Sequence, residues 1–137
     1  MIGAVIVTHG LLARELLDAA ERIVGRTEGI RAVSMGWDDE VADAHQEIQA
    51  AIKDVDSGDG VLIFTDMFGG TPTNFSLAFL EPDKVEIITG VNLPMIIKLT
   101  SVQGGEGSLL EVAQELGERG QNSVYVASEI LSSRDEA

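Results

Sequence analysis

Two short segments of the sequence carry side chains that could perform chemistry together. His9 directly follows an apolar run at residues 2–8, and Asp66 directly follows a second such run at residues 60–65. A carboxylate that accepts a hydrogen bond from one nitrogen of a neutral imidazole fixes the tautomer and leaves the lone pair of the other nitrogen free. A histidine oriented in this way could be a nucleophile that accepts a phosphoryl group and passes it on.

Residues next to both side chains are of types that suit a bound anion. Gly10 follows the histidine, and the sequence Met-Phe-Gly-Gly-Thr-Pro follows the aspartate. Each segment leads into a predicted helix, and the free N–H groups and partial positive charge of a helix N-terminus favour phosphate. We therefore expect the backbone N–H groups near Gly10, Leu11, Gly70 and Thr71, together with the Thr71 hydroxyl, to hold the phosphate.

Two other reaction types use similar residues and fit the sequence less well. A serine hydrolase needs a Gly-x-Ser-x-Gly turn, which the chain lacks. A receiver domain would be phosphorylated on Asp66, but it needs an acidic pair for magnesium at the end of the first strand, where Thr8 and His9 stand. A phosphoryl acceptor at His9 requires no metal and no cofactor. The alternative that His9 only caps a helix stays open.

The elements that precede these segments must position them. Runs rich in β-branched and apolar residues predict five strands, at residues 2–8, 32–35, 60–65, 85–89 and 123–127. Helical segments alternate with them, which predicts an α/β fold with a doubly wound, mainly parallel five-stranded sheet and helices on both faces. In the order 2-1-3-4 plus a last strand, strands 1 and 3 are neighbours, and ligands bind beyond their carboxyl ends. The predicted domain covers residues 1–127, and residues 128–137 form a polar tail.

Several helix starts are marked in the sequence. Thr71 followed by Pro72 predicts an N-cap and a proline in the first turn. Ser108 and Glu111 have the spacing of a capping box. The aspartates at positions 38 and 39 are expected to cap the second helix rather than to bind a metal.

The remaining candidate residues have plain structural interpretations beside functional ones. His45 lies at the edge of an apolar helix stripe, so we expect a structural role for it. The glycines at residues 104–107 form a loop and not a dinucleotide fingerprint, because no clear strand precedes them. Trp37 and Phe68 are equally compatible with the core and with a docking surface at the site.

Composition limits the class of protein and its partners. The chain of 137 residues has 9 basic and 23 acidic side chains, a formal net charge of −14, and no cysteine. Disulfides and thiolate chemistry are therefore excluded, and nucleic acid and anionic membranes are unfavourable partners. No apolar run reaches the ~18 residues that a membrane span needs, and no basic segment precedes the first apolar run. We expect a cytoplasmic protein whose partner has a basic docking face.

Three motifs together resemble a known family. They are Val-Thr-His-Gly at residues 7–10, Thr-Asp-Met-Phe-Gly-Gly-Thr-Pro at residues 65–72 and Thr-Gly-Val-Asn-Leu-Pro-Met at residues 89–95. In this order and spacing they are similar to the motifs of the mannose-family (mannose/fructose/sorbose) IIA component of the bacterial phosphoenolpyruvate:sugar phosphotransferase system. The likeness covers the whole predicted domain.

The resemblance implies a function, partners and an assembly. It implies that His9 is phosphorylated by the histidine-containing phosphocarrier protein and hands the group to a IIB component, while Asp66 orients His9. It also implies a homodimer in which the last strand can run antiparallel and be exchanged between subunits. We expect IIB to be a separate protein, through which the chain could associate with a membrane permease without inserting into the membrane itself.

Two alternatives to this function stay open at the level of sequence. The phosphoryl-donor subunit of dihydroxyacetone kinase is similar in fold and in its N-terminal histidine, but it lacks the Phe-Gly-Gly-Thr-Pro loop. A regulatory binding module, in which phosphorylation of His9 changes the affinity for another protein without sugar transport, would need the same site. Neither alternative changes the chemistry expected at His9.

Overall fold

The computed structural model describes residues 1–37 and 40–136. Its strands are β1 (Gly3–His9), β2 (Ile30–Met35), β3 (Val61–Thr65) and β4 (Val85–Thr89). Its helices are α1 (Leu12–Val24), α2 (Val41–Val55), α3 (Thr71–Ser76), α4 (Leu93–Val102), α5 (Leu109–Gln121) and α6 (Ala127–Glu136), and a 3-10 turn (Leu77–Phe79) follows α3.

The four strands form one parallel sheet in the order β2-β1-β3-β4. Alternate residues of each strand point to opposite faces, and both faces of β1 and β3 are buried. Ile6 and Phe64 lie in the core beneath α1, α4 and α5, whereas Val7 and Ile63 pack on the other face, with residues of α2. This confirms the predicted doubly wound α/β fold and the order 2-1-3-4.

The predicted fifth strand at residues 123–127 is wrong for the chain by itself. Residues 123–126 form no strand in the described structure, and the side chains of Val124, Tyr125 and Val126 are exposed. Strand propensity reflects packing against neighbouring strands, and no strand of the same chain pairs with this segment. α6 begins at Ala127, the last residue of the predicted strand, and occupies residues 128–136 of the predicted polar tail, in agreement with the helix-favouring Ala127, Glu129 and Leu131.

Helix starts agree with the sequence in one case and differ in another. The Ser108 hydroxyl accepts from the Glu111 N–H at 3.1 Å and the Glu111 carboxylate accepts from the Ser108 N–H at 3.2 Å, which confirms the capping box. Gly70, and not Thr71, is the N-cap of α3, because Thr71 already lies in the helix and no side chain caps its first turn. The Thr71 hydroxyl is therefore not committed to capping.

Small differences in length separate the other predicted and observed elements. β2 begins at Ile30, two residues before its predicted start. The sequence predicts a short helix at residues 92–97, whereas α4 extends to Val102 because Leu99 also packs in the core. α2 begins at Val41 with Glu40 as N-cap, and the two aspartates predicted to cap it, at positions 38 and 39, lie outside the described residues. Among the described helices, none combines the length and the apolar character that crossing a membrane requires.

Candidate functional site

The sheet brings His9 and Asp66 together at its carboxyl edge. Val7 of β1 lies opposite Thr65 of β3, so the last residue of β1 and the first residue after β3 are neighbours. His9 Nδ1 and Asp66 Oδ2 are 2.7 Å apart, and the same Oδ2 accepts from the backbone N–H of His9 at 3.0 Å. The other carboxylate oxygen accepts from the Met67 N–H at 3.0 Å. Both oxygens of Asp66 are thus engaged, and its orientation is fixed.

These contacts decide which nitrogen of His9 is free. Burial acts to raise the pKa of Asp66, but hydrogen bonds from the backbone and ring of His9, the charge attraction of that ring and the hydrogen bond to its own backbone outweigh burial. The net pKa of Asp66 is therefore below its usual value of 3.8. The carboxylate is ionised at neutral pH and can only accept, so Nδ1 carries the proton and Nε2 presents its lone pair.

Solvent reaches the imidazole but hardly reaches the carboxylate. The His9 side chain is 26% exposed and the Asp66 side chain 13%. A small cavity of about 80 Å³ opens beside His9, and Trp37, Thr71 and Phe75 are among the residues that line it. A reacting group can therefore approach the ring from solvent while the orienting acid stays sheltered behind it.

Gly70 passes so close to His9 that a larger residue would disturb the ring. A Cβ on Gly70 would lie 2.9 Å from His9 Cε1 and 3.5 Å from Nε2. The backbone of Gly70, with φ −86° and ψ 170°, is one that any residue can adopt, so the requirement for glycine here is steric. The absence of a side chain leaves the Nε2 edge of the ring open.

The phosphate-binding residues predicted from the sequence are only partly placed as expected. The Gly10 N–H donates to the Met35 carbonyl at 2.8 Å, so this donor is already used within the protein. In the described part of the chain no hydrogen bond uses the backbone N–H of Leu11, Gly70 or Thr71. Thr71 is exposed and lines the cavity beside His9. Gly10 instead provides the turn between β1 and α1, with φ +55°.

Two buried threonines that were not predicted as site residues hold the loop that carries Asp66. The hydroxyls of Thr65 and Thr73 lie 2.7 Å apart, and Thr73 donates to the Met67 carbonyl at 2.6 Å. Both side chains are fully buried. In the sequence these residues are recognisable as one hydroxyl side chain at the end of β3 and a second one inside α3. Their hydrogen bond joins the two elements across the loop. The same device occurs at β1, where the Thr8 hydroxyl accepts from the Ala13 N–H at 2.7 Å.

The two aromatic side chains left open by the sequence both lie on the surface. Trp37 is 81% exposed and stacks on His9, with ring centroids 5.4 Å apart and an angle of 25° between the planes. Phe68 is 77% exposed, and Leu11 and Met67 beside the site are also exposed. An apolar rim formed by Leu11, Trp37, Met67 and Phe68 thus flanks the reactive ring. Neither aromatic residue belongs to the core.

The other candidates lie outside this arrangement. His45 on α2 packs against Phe79, with ring centroids 4.6 Å apart, which agrees with a structural role. Among residues 1–37 and 40–136, no three His, Asp or Glu side chains come together in a way that could hold a metal ion.

Comparison with known proteins gives consistent similarities. The profile of the family described as "PTS system fructose IIA component" matches residues 3–116. The chain is 33% identical over 128 residues to the PTS system mannose-specific EIIAB component of Escherichia coli K12, covering 87% of this chain and 38% of that protein. It is 29% identical to the PTS system fructose-specific EIIA component of Bacillus subtilis, covering 96% of this chain and 90% of that protein.

A solved structure extends the likeness to three dimensions. The PTS IIA protein associated with the fucose utilization operon of Streptococcus pneumoniae superimposes with a TM-score of 0.82 at 28% identity, covering 95% of this chain and 96% of that one. The chain spans only 38% of the length of the E. coli protein.

Proposed function

This chain belongs to the family of PTS system fructose IIA components, and on that premise we propose that it carries a phosphoryl group on His9 Nε2. The donor would be the histidine-containing phosphocarrier protein and the acceptor a IIB component, an exchange that we assign to the cytoplasm. The single observation that carries the proposal is the 2.7 Å contact between His9 Nδ1 and the sheltered carboxylate of Asp66. It leaves Nε2 as the nucleophile at an edge that solvent can reach.

The transfer step follows from this geometry. The Nε2 lone pair of His9 attacks phosphorus in line with the bond to the donor's imidazole nitrogen, and that nitrogen leaves with the bonding electrons. The proton on Nδ1 stays hydrogen-bonded to Asp66, so the phosphorylated ring carries a positive charge opposite a negative carboxylate. The reverse sequence of events passes the phosphoryl group to the next protein, with His9 as the leaving group.

The same carboxylate also repels the incoming phosphoryl group, and this sets how firmly the group is held. Repulsion between two unit charges amounts to about 2 kcal/mol at roughly 7 Å with an effective dielectric near 20. The N–H groups of Leu11, Gly70 and Thr71 and the Thr71 hydroxyl would offset it at about 1.5–3 kcal/mol for each bond to a charged acceptor. One such hydrogen bond is similar in size to the repulsion, so one or two of them would balance it. A balance of this kind suits a group that must be accepted and then released.

We assign the apolar rim of Leu11, Trp37, Met67 and Phe68 to docking of the phosphocarrier. Large apolar side chains next to a reactive group are typical of the centre of an interface. The chain as a whole carries a net charge of −14, so a partner with basic residues around its own reactive histidine would be attracted to the protein, and the apolar rim would then fix where it docks. Transient complexes of this kind need only a small interface.

Strand exchange in a homodimer would explain the apolar residues that follow α5. β4 is an edge of the sheet, and a groove of about 600 Å³ between β4 and α5 includes Ile88, Met95 and Val124 in its lining. Residues 124–126 of a second subunit could pair with this edge and remove their own exposure. Val124→Asp should then shift the protein from dimer to monomer in light scattering, whereas Ile23→Asp, at an exposed position on α1, should not. A monomeric wild-type protein would contradict the assignment.

Phosphorylation of the purified protein tests the function directly. Incubation with phosphoenolpyruvate and the general phosphotransferase proteins should add one phosphoryl group that is labile to acid and stable to base, as detected by intact mass spectrometry. His9→Gln should receive none while keeping the circular dichroism spectrum and melting temperature of the wild type. Full labelling of His9→Gln would refute the assignment of the acceptor, and failure to label the wild type would refute the function.

A further inference from the structure

The indole of Trp37 makes a contact with His9 that phosphoryl acceptance by itself does not explain. Trp37 is 81% exposed, so stacking on a histidine contributes little buried area to the fold. The rings lie nearly parallel, at 25°, with centroids 5.4 Å apart. An exposed tryptophan in this position can influence the orientation of the His9 ring, whereas it contributes little to the packing of the core.

The other contacts of His9 hold its edges and leave its plane free to tilt. Asp66 fixes the Nδ1 edge through one hydrogen bond, and Gly70 limits movement at the Cε1 edge. A single hydrogen bond and one close edge still permit rotation about the line that joins Cα to the bonded nitrogen. The indole ring on one face of the imidazole restricts that rotation. A tilt in one direction would break the stacking contact, and a tilt in the other would bring the two rings into a steric clash.

The plane of the ring matters because the Nε2 lone pair lies in it. Phosphoryl transfer requires the attacking nitrogen, phosphorus and the leaving group to be in line, and little covalent help from the protein is needed beyond this positioning. If the ring tilts, the Nε2 lone pair no longer points along the line that joins phosphorus and the leaving group. The charge of the phosphorylated ring adds a second effect, since a cationic ring is attracted to the face of an indole.

We propose that Trp37 is a positioning residue for phosphoryl transfer: its stacked indole holds the His9 ring in the plane of attack and favours the phosphorylated, positively charged ring. This inference rests on the proposed function for its biological donor. It goes beyond that function because it assigns a role in the chemical step to a residue that does not bind phosphate. It also makes the single tryptophan of the chain a reporter of the state of His9.

Two phosphoryl donors distinguish positioning from docking. The phosphocarrier protein must dock on the apolar rim, whereas potassium phosphoramidate is a small donor with no docking surface. The rate of His9 phosphorylation is measured with both for the wild type, Trp37→Ala and Trp37→Phe. Ile23→Ala, which removes exposed apolar surface from the far end of α1, is the matched control.

Positioning predicts a loss with both donors. Trp37→Ala should lower the rate at saturating donor about tenfold, in the range that misplaced reacting groups produce. Trp37→Phe, which keeps a flat ring, should restore most of the rate. The equilibrium constant for transfer from the phosphocarrier should also fall, by about two- to fivefold, as expected for loss of a cation–π contact at an exposed site. The melting temperature should not change.

The outcomes separate this inference from the proposed function. A Trp37→Ala protein that reacts with phosphoramidate at the wild-type rate would overturn the positioning role, even if its KM for the phosphocarrier rose. Failure of the phosphocarrier to label the wild type would refute the proposed function, while the phosphoramidate rates would still test Trp37. Phosphorylation of the wild type should change tryptophan fluorescence, and His9→Gln should show no change. An unchanged emission on full phosphorylation would also count against the stack.

Discussion

Replacing Gly70 by alanine should impair the chemistry of His9 while leaving the fold intact. The backbone of Gly70 is in an extended conformation that alanine adopts without strain. The added Cβ would nevertheless lie 2.9 Å from His9 Cε1 and 3.3 Å from Met67 Cγ. The imidazole would have to retreat by about 0.5 Å to reach 3.4 Å, the lower end of ordinary contact.

The size of the kinetic effect follows from what opposes this retreat. The ring is held at Nδ1 by Asp66 and on one face by Trp37, so it can move only by stretching the hydrogen bond or tilting against the indole. The methyl group would also lie 3.5 Å from Nε2, close to the path of the phosphoryl group. Because a 1 Å misplacement can reduce a rate about 10²-fold, we expect Gly70→Ala to lower the rate by about ten- to hundredfold.

Stability should respond much less than the rate. Alanine restricts the unfolded chain and thereby stabilises the fold by about 0.4–1 kcal/mol, which offsets part of the strain of the new contact. We therefore expect the free energy of unfolding of Gly70→Ala to change by about 1 kcal/mol or less. The rate is measured by rapid quench at saturating phosphocarrier, and the free energy of unfolding by urea denaturation.

Gly69 provides the matched control. Its φ of +85° disfavours alanine, but a Cβ there would meet no atom within 4 Å. Gly69→Ala should therefore lower stability by about 1–2 kcal/mol through backbone strain and affect the rate less than Gly70→Ala does. A Gly70→Ala protein that is phosphorylated at the wild-type rate would refute the reasoning, and so would a larger kinetic loss in Gly69→Ala.

Two further predictions concern the groups that hold the site. Asp66→Asn should slow phosphoryl acceptance about 10²-fold or more in single-turnover kinetics, because the amide can donate to Nδ1 and so move the ring proton to Nε2. Since the pKa of Asp66 is below 3.8, its charge contributes fully to stability above that pH and loses this contribution as the pH falls through the lowered pKa. The free energies of unfolding of the wild type and of Asp66→Asn, measured by urea denaturation, should therefore become more similar in strongly acidic solution. A difference that does not change with pH would contradict this. Thr73→Val leaves the Met67 carbonyl and the Thr65 hydroxyl without their partner, so it should lower the free energy of unfolding by about 2 kcal/mol or more. Thr65→Val added to it should cost little further, and full additivity in urea denaturation would count against the pair.

The sequence predicts the fold well where residue patterns are periodic. β1 and β3 are apolar without interruption because both of their faces are covered, and this pattern marks them as central strands. Their position in the chain then places His9 and Asp66 at one edge of the sheet. The strand predicted at residues 123–126 does not form in the single chain, because a β-rich segment becomes a strand only where it pairs with another strand, and these residues do not pair with the open edge of β4.

Residue types also predict much of the site, whereas contacts between distant segments do not follow from them. A histidine, an aspartate and a Gly-Gly-Thr-Pro segment, in this order, indicate an oriented nucleophile and a place for an anion. The stacking of Trp37 on His9 could not be predicted, because it depends on the path of the irregular segment after β2, which has no periodic pattern. The same is true of the Gly10 N–H, which donates to Met35 on the neighbouring strand.

The amino-acid sequence by itself determined which groups can react and which strands carry them, since chemical identity and local periodicity are properties of the chain alone. The register of β1 against β3 determined the 2.7 Å contact that selects Nε2 of His9, and close packing at Gly70 determined that this nitrogen stays open. Both depend on distances between residues about 57 to 61 positions apart in the chain, and only the folded sheet fixes such distances.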